Sequence, residues 1–240
     1  MNIGLFILSS GMEKTMKKFI EKYGHIWTAL YVFIYMPWFI WLEENVKTYT
    51  LLHVKLDDMI PFCEYFIIPY LLWFAYVPAV MIYEFFTSKK EWYYASAYLF
   101  IGMSICLLIC TVWHNGQDLR ISVDNDNIFM SAVKMIYTAD TNTNVFPSIH
   151  VFNSIGVFII LCKSENMKGK KKIKISAFVL TVLIILSTVF LKQHSVVDVI
   201  GGIALSGIMY LLVYCIDYSK AVQYIRGWFA KNDGFERRKI

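Results

Sequence analysis

Six stretches of the chain carry almost no charge, and polar or charged connectors separate them. They cover residues 26–42, 60–83, 92–113, 148–162, 175–191 and 195–216. A helix that crosses a hydrocarbon core needs roughly 17–25 apolar residues, and these runs read as such helices. The fourth is the shortest. Strand periodicity is absent throughout. No internal repeat is evident, and the connectors leave no room for a soluble domain. The pattern predicts an all-α protein, a bundle of six transmembrane helices over residues 25–217. A segment of residues 1–24 precedes it, and a basic tail of residues 218–240 follows.

Composition strengthens this reading. The chain is 58% hydrophobic and 17% charged, with a mean hydropathy of +0.51, whereas soluble domains run near a quarter charged. Trp27, Trp41, Trp92, Tyr93, Tyr94 and Trp113 fall near the ends of apolar runs, where amphipathic rings meet the headgroups. Basic residues do not interleave with aromatics as a nucleic-acid groove requires, so no nucleic-acid partner is expected. Cys63, Cys106, Cys110, Cys162 and Cys215 form no CxxC pair and lie in or beside apolar runs. They read as packing thiols.

The distribution of charge gives an orientation. Of 23 Lys and Arg residues, 18 lie before the first run, between the second and third, between the fourth and fifth, and in the tail. Only Lys47, Lys55, Arg120, Lys134 and Lys192 lie on the other side. The positive-inside rule then places both termini in the cytoplasm. The 47–58 loop, the long 114–147 loop and the turn at 192–195 face outward. The opening MNIGLFILSSGM is too short to span and lacks the basic n-region of a signal peptide. A start at Met12 or Met16 would remove it; otherwise it suits the membrane surface. The small size and plain outer loops suggest a bacterial plasma membrane.

Three outward places hold unusual polar groups. In PSIH, residues 147–150, Pro147 and Ser148 are natural at a helix start. His150 would sit in the first turn, beside free amides that suit an anion. Taken alone, the motif fits a capped helix with an interfacial histidine equally well. His194 and Asp198 are four residues apart, a spacing that shares one helix face. The carboxylate can hold one imidazole nitrogen and leave the other free to attack. An interfacial ion pair is the plainer account, but an acid several residues inside a span usually has a purpose. The alternation of spans brings His150 and His194 to the same membrane face. Arg120, in the adjoining loop, has the fork geometry for phosphate oxygens.

These residues resemble the type 2 phosphatidic acid phosphatase family, integral membrane lipid phosphatases with some soluble relatives. Its motifs KxxxxxxRP, PSGH and SRxxxxxHxxxD correspond to WHNGQDLRI (113–121), PSIH (147–150) and STVFLKQHSVVD (187–198). The last two together carry the resemblance. It implies a six-helix layout with the site at the extracytoplasmic face, and hydrolysis of a membrane lipid phosphate or pyrophosphate without metal or other cofactor. It implies that His194 is the nucleophile that forms a phosphohistidine. Asp198 would orient it, and His150 would serve as acid and then base. Arg120 and Ser148 would hold phosphoryl oxygens.

The chain also departs from the pattern. Trp113 stands where the family has lysine, Ile121 where it has proline, Ile149 where it has glycine, and Thr188 where it has arginine. Two cationic clamps are therefore absent. Lys192 is a candidate replacement charge, and Gln117 and Asn144 are candidates for neutral substrate contacts. A site with fewer cations also suits a head-group phosphotransferase. Sphingomyelin and inositol phosphorylceramide synthases share the His, His, Asp set without the full cationic pattern. Glu64, near the outer end of the second run, could pair with Arg120 or Lys192, or line a lipid access cleft. Asp118, Asp124, Asp126 and Asp140 make the long loop acidic, but DNDN lacks the turn glycine of a calcium loop. A transporter or metal-binding module is disfavoured, because the polar groups gather at one face and not at the midplane. Gly201 and Gly202 would allow close helix packing.

Overall fold

The computed structural model describes residues 17–18, 20–122, 127–219 and 223–224. The stretch MNIGLFILSSGM, Asp124, Asp126 and most of the basic tail lie outside them. Within the described residues the chain forms eight helices. They are α1 (Ile20–Asn45), α2 (Lys55–Met59), α3 (Glu64–Thr87), α4 (Lys89–Val112), α5 (Ile128–Ala139), α6 (Ile149–Lys163), α7 (Lys171–Phe190) and α8 (Val196–Cys215). Residues Gly24–Tyr31 of α1 wind as a 3-10 helix. Two short strands, β1 (Thr50–Leu51) and β2 (Asn115–Gly116), complete the set.

Five of these helices, α1, α3, α4, α7 and α8, are long and apolar enough to cross a bilayer. Large apolar side chains such as Phe33, Phe86, Ile175 and Ile200 point out of the bundle, where only lipid would receive so much apolar surface. The chain is an integral membrane protein. The sixth expected span, α6, has fifteen residues, about 22 Å at 1.5 Å per residue. That is short of the roughly 30 Å of a hydrocarbon core.

Its place in the bundle explains why it can be short. α6 packs against α3, α4, α7 and α8 and buries Val151, Phe152, Val157 and Ile160. Packed along its length by longer helices, it need not itself match the thickness of the hydrocarbon core.

Side-chain caps start several helices. Ser88 Oγ accepts from Glu91 N at α4, Asn127 Oδ1 from Met130 N at α5, and Ser148 Oγ from Val151 N at α6. Each satisfies an amide that has no partner within its helix.

One end of the bundle is closed by the loops. β1 pairs in parallel with β2, Thr50 opposite Asn115 and Leu51 opposite Gly116. Gly116 also bridges Thr143 in antiparallel fashion. The long 114–147 segment is not a plain loop, because α5 occupies its middle. Val133 and Ile136 of α5 are buried with Ile67, Tyr70 and Leu191. All five cysteines are free, and Cys106 and Cys110 are buried.

Candidate active site

The site is built where α6 and α8 begin, at the loop-covered end. The turn between α7 and α8 sets it. Both Gln193 N and His194 N donate to Thr188 O, at 2.9 and 3.0 Å. Lys192 takes the left-handed conformation, φ 54°, which reverses the chain. Gln117 Nε2 donates to Lys192 O at 3.1 Å, and Tyr137 Oη to Leu191 O at 2.7 Å. The turn is therefore held from below by α7 and from the side by the 114–147 segment.

His194 lies two residues ahead of α8 and not on a helix face as its spacing suggested. The pairing with Asp198 is made by a cap. Asp198 Oδ2 accepts from Ser195 N at 2.9 Å and meets His194 Nδ1 at 3.3 Å. One carboxylate oxygen thus caps α8 and orients the imidazole. Asp198 is fully buried, and its backbone carbonyl accepts from Ser148 N at 3.1 Å. That bond ties the start of α8 to the start of α6. Gly201 and Gly202 permit the approach, since a Cβ at Gly202 would meet Ser148 O and Val151 at 2.9 Å and one at Gly201 the Phe146 ring.

Asp57, in the short helix α2, completes the start of α8. Its carboxylate accepts from Ser195 Oγ at 2.7 Å, Val196 N at 2.8 Å and Val54 N at 2.9 Å. Lys192 Nζ donates to Asp57 O and Ile60 O at 2.6 and 2.5 Å, which directs its charge into the 57–60 loop.

His150 and His194 face each other with ring centroids 5.7 Å apart. The His150 ring rests against Trp73 at 4.4 Å and Tyr70 at 4.7 Å. Both histidines line a cavity of about 360 Å³. Tyr35, Phe39, Tyr70, Trp73 and Phe74 form its apolar wall; Glu43, Asp140, Thr141, Asn144 and Gln193 form its polar one.

The expected residues distribute unevenly around this cavity. His150, His194 and Asn144 line it; Asp198 and Ser148 lie directly behind. Asn144 is in the left-handed region, φ 57°, and its Nδ2 donates to Glu43 Oε1 at 3.2 Å. Gln117 is buried beneath the turn, where its Oε1 accepts from Leu119 N. Thr188, at the position of the family's arginine, donates to Ile185 O at 2.8 Å and is fully buried away from the cavity. The Glu64 side chain makes no hydrogen bond or ion pair among the described residues, and Glu64 is not at the cavity.

Arg120 is half-buried behind the polar wall. Its Nη1 donates to Tyr137 O at 2.9 Å, and its Nη2 to Thr141 O and Gln193 Oε1, both at 2.7 Å. The guanidinium lies 4.8 Å over the Tyr137 ring. Arg120 is not among the residues that line the cavity.

Three residues of the site carry no sequence motif. Glu43 Oε2 accepts from Thr141 N at 3.0 Å and from Thr141 Oγ1 at 2.5 Å. The Asp140 side chain has no hydrogen bond or ion pair among the described residues. Burial, aided by the Glu43 carboxylate, pushes its pKa up to about 6, against the pull of His194 and Arg120. Gln193 is 2% exposed, and its Nε2 is buried without a partner among the described residues. The adjacency of Gln193 to His194 is the one signal in the sequence that could have drawn attention to it.

Such a pair of imidazoles, one held by a buried carboxylate, can attack a phosphorus centre and deliver a proton to its leaving group. Comparison with known proteins agrees with that chemistry. The family model described as PAP2 superfamily matches residues 110–221. Neither the curated proteins nor the solved structures gave a match. The matched residues take in α6, α7, α8, both histidines and Asp198, so the part of the chain that holds the reacting groups is similar to the PAP2 superfamily.

Proposed function

We propose that the protein removes phosphate from a lipid phosphate or pyrophosphate at the outer leaflet, through a phosphohistidine on His194. The observation that carries this reading is the pair His150 and His194 at the wall of one largely apolar cavity, with Asp198 behind His194. With Nδ1 of His194 directed to Asp198, Nε2 is the atom that attacks phosphorus. The bond from phosphorus to the leaving oxygen breaks, and His150 supplies that oxygen with a proton. Water then attacks the phosphohistidine and gives its proton to His150. The phosphorus–nitrogen bond breaks and phosphate leaves. Asp198 keeps the imidazole in one tautomer and balances its positive charge. The aromatic wall suits an acyl or prenyl chain next to the phosphate. No metal has a part in this scheme.

The outward orientation rests on charge: the loops at the site end hold five of the 23 basic residues. With α6 counted as a short, enclosed sixth span, both termini face the cytoplasm, in a bacterial plasma membrane.

The test is phosphate release from phosphatidic acid and polyprenyl pyrophosphate by detergent-solubilised protein, with and without EDTA. Turnover unaffected by EDTA and abolished in His194→Ala is expected. Retained activity in that variant would refute the nucleophile, and strict metal dependence the mechanism.

One observation favours a second reading, a head-group phosphotransferase. Glu43 and Asp140 both line the cavity, and among the described residues no cation is paired to either. Two carboxylates oppose a dianionic monoester, and they favour a phosphodiester whose head group carries an amine. Mass spectrometry of the lipid products separates the two: free phosphate in the first case, a new phosphodiester in the second.

A further inference from the structure

We infer that Gln193 is the phosphoryl ligand of this site, its side-chain N–H donating to a non-bridging oxygen of the group on its way to His194, and that Arg120 is the positioning residue that aims it. The inference rests on the phosphoryl-transfer reading above. It concerns how the site works without the two cationic residues that Trp113 and Thr188 replace.

Arg120, the remaining cation of the motif positions, is held by its two terminal nitrogens, and its Nε, without a partner among the described residues, is not at the cavity. Its two terminal nitrogens serve Tyr137 O, Thr141 O and Gln193 Oε1. Releasing it toward a substrate would break three hydrogen bonds and leave buried carbonyls unpaired. Lys192 is committed as well, to Asp57 O and Ile60 O.

Gln193 is placed differently. It adjoins His194, and the two amides share Thr188 O, so its side chain and the nucleophile are held by one rigid turn. It lines the same cavity as both histidines. Arg120 Nη2 is a donor only, so the oxygen of the Gln193 amide must face it. Rotating the amide would oppose N–H to N–H. Oε1 is therefore fixed at 2.7 Å from Arg120, and Nε2 is left as a buried donor with no acceptor among the described residues. Buried donors are almost always satisfied, and an unmatched one beside a nucleophile points to an acceptor that arrives with the substrate. The guanidinium also polarises the amide through the shared bond, which strengthens its N–H as a donor. The positive charge thus reaches the phosphoryl group indirectly.

The experiment compares Gln193→Met, Gln193→Glu, Arg120→Ala and the Arg120→Ala/Gln193→Met double variant with wild type, all as full-length protein in detergent. The readouts are kcat, KM, inhibition by orthovanadate and yield of phosphohistidine. Gln193→Met keeps the length and removes the donor; kcat should fall about a hundredfold, the usual loss for one preorganised donor, with vanadate affinity falling alongside. Gln193→Glu keeps the acceptor for Arg120 and removes the donor. A purely structural Gln193 would be rescued by it; the ligand assignment expects no rescue. Arg120→Ala should add nothing to Gln193→Met, since both act through one N–H. Multiplicative losses would return the clamp to Arg120. Gln193→Met within twofold of wild type in kcat and vanadate inhibition would overturn the assignment. If wild type itself forms no phosphohistidine and ignores vanadate, the phosphoryl-transfer reading fails, an outcome distinct from a change confined to the Gln193 variants.

Discussion

The two halves of this chain contribute different things to one cavity. Residues from α6 through α8 supply the groups that would carry out the chemistry, His150, His194 and Asp198. Residues from α1 and α3 supply the apolar wall and one acid: Tyr35, Phe39, Glu43, Tyr70, Trp73 and Phe74. The family match begins at residue 110, so it covers the first contribution and stops short of the second. The reaction centre is thereby separable from what the cavity admits. The sharpest test of the reacting half is Asp198→Asn. The amide retains a cap oxygen for Ser195 N but loses the charge that opposes the imidazolium and fixes its tautomer. Turnover should fall about 10⁴-fold, the scale seen when an orienting aspartate beside a catalytic histidine is neutralised. Substrate KM should change little. Near-normal turnover would mean that Asp198 serves α8 alone.

The halves are joined at Asp57. This carboxylate, from the N-terminal half, receives Ser195 Oγ, Val196 N and Val54 N, and it is 2% exposed. A buried carboxylate at a helix start is well matched to the unpaired amides and positive end of the helix. Asp57→Ala should destabilise the protein by about 3 kcal/mol, the loss of charge-assisted bonds from a buried site. The measurement is thermal unfolding in detergent. A midpoint equal to that of wild type would show that α8 holds its own start.

The sequence made the shafts of the bundle legible, because lipid exposure demands long uncharged runs and little else. The 92–113 run and α4, Lys89–Val112, differ by three residues or fewer at either end. It also made His150, His194 and Asp198 legible, because a cap residue and an i,i+4 pair are local patterns. What it concealed was set by distant contacts. Glu43 meets Thr141 across 98 residues and Asp57 meets Ser195 across 138; nothing local marks either acid. Arg120 looked like an exposed clamp because no local pattern reveals that Tyr137 O and Thr141 O would take its donors. Helix α5 had a signal that went unread. Asn127 precedes Ile128, Phe129, Ala132, Val133, Ile136 and Tyr137, a cap followed by helical periodicity. At twelve residues it is too short to span, and the acidic residues around it give the segment the composition of a loop.

The polar wall of the cavity, to which Asp140 belongs, is tested by Asp140→Asn. Asp140 has a pKa raised to about 6, so it is neutral on the acid side and charged above. For a phosphate monoester, ionisation of Asp140 adds repulsion, and the wild-type KM should rise as pH passes through about 6. Asp140→Asn should hold its acid-side KM, which makes it about tenfold better than wild type at pH 7.5, on the scale of one charge at short range in a partly solvated site. Below pH 5 the two should coincide. For an amine-bearing head group the sign reverses: ionisation would aid binding and the variant would be the poorer enzyme at pH 7.5. The comparison on both substrates therefore decides which ligand the wall was built for.

The smallest effect belongs to the cap that covers both halves. His53 Nδ1 meets Asp118 Oδ1 at 2.8 Å and its Nε2 meets Asp58 Oδ1 at 2.7 Å, clasping the 47–58 loop to the segment after β2. Hydrogen bonds to the two carboxylates, Asp58 first, raise the His53 pKa. A raised histidine pKa stabilises the fold fully below the unfolded value and loses that contribution as pH rises through the folded one. His53→Ala should therefore lower the unfolding midpoint at pH 5.5 and leave it unchanged at pH 9. The group is exposed and screened, so the difference should be about 1 °C and should shrink in high salt. A larger loss that persists at pH 9 would mean that the clasp acts by packing and not by charge, and that the loops of the two halves are bound together by more than this histidine.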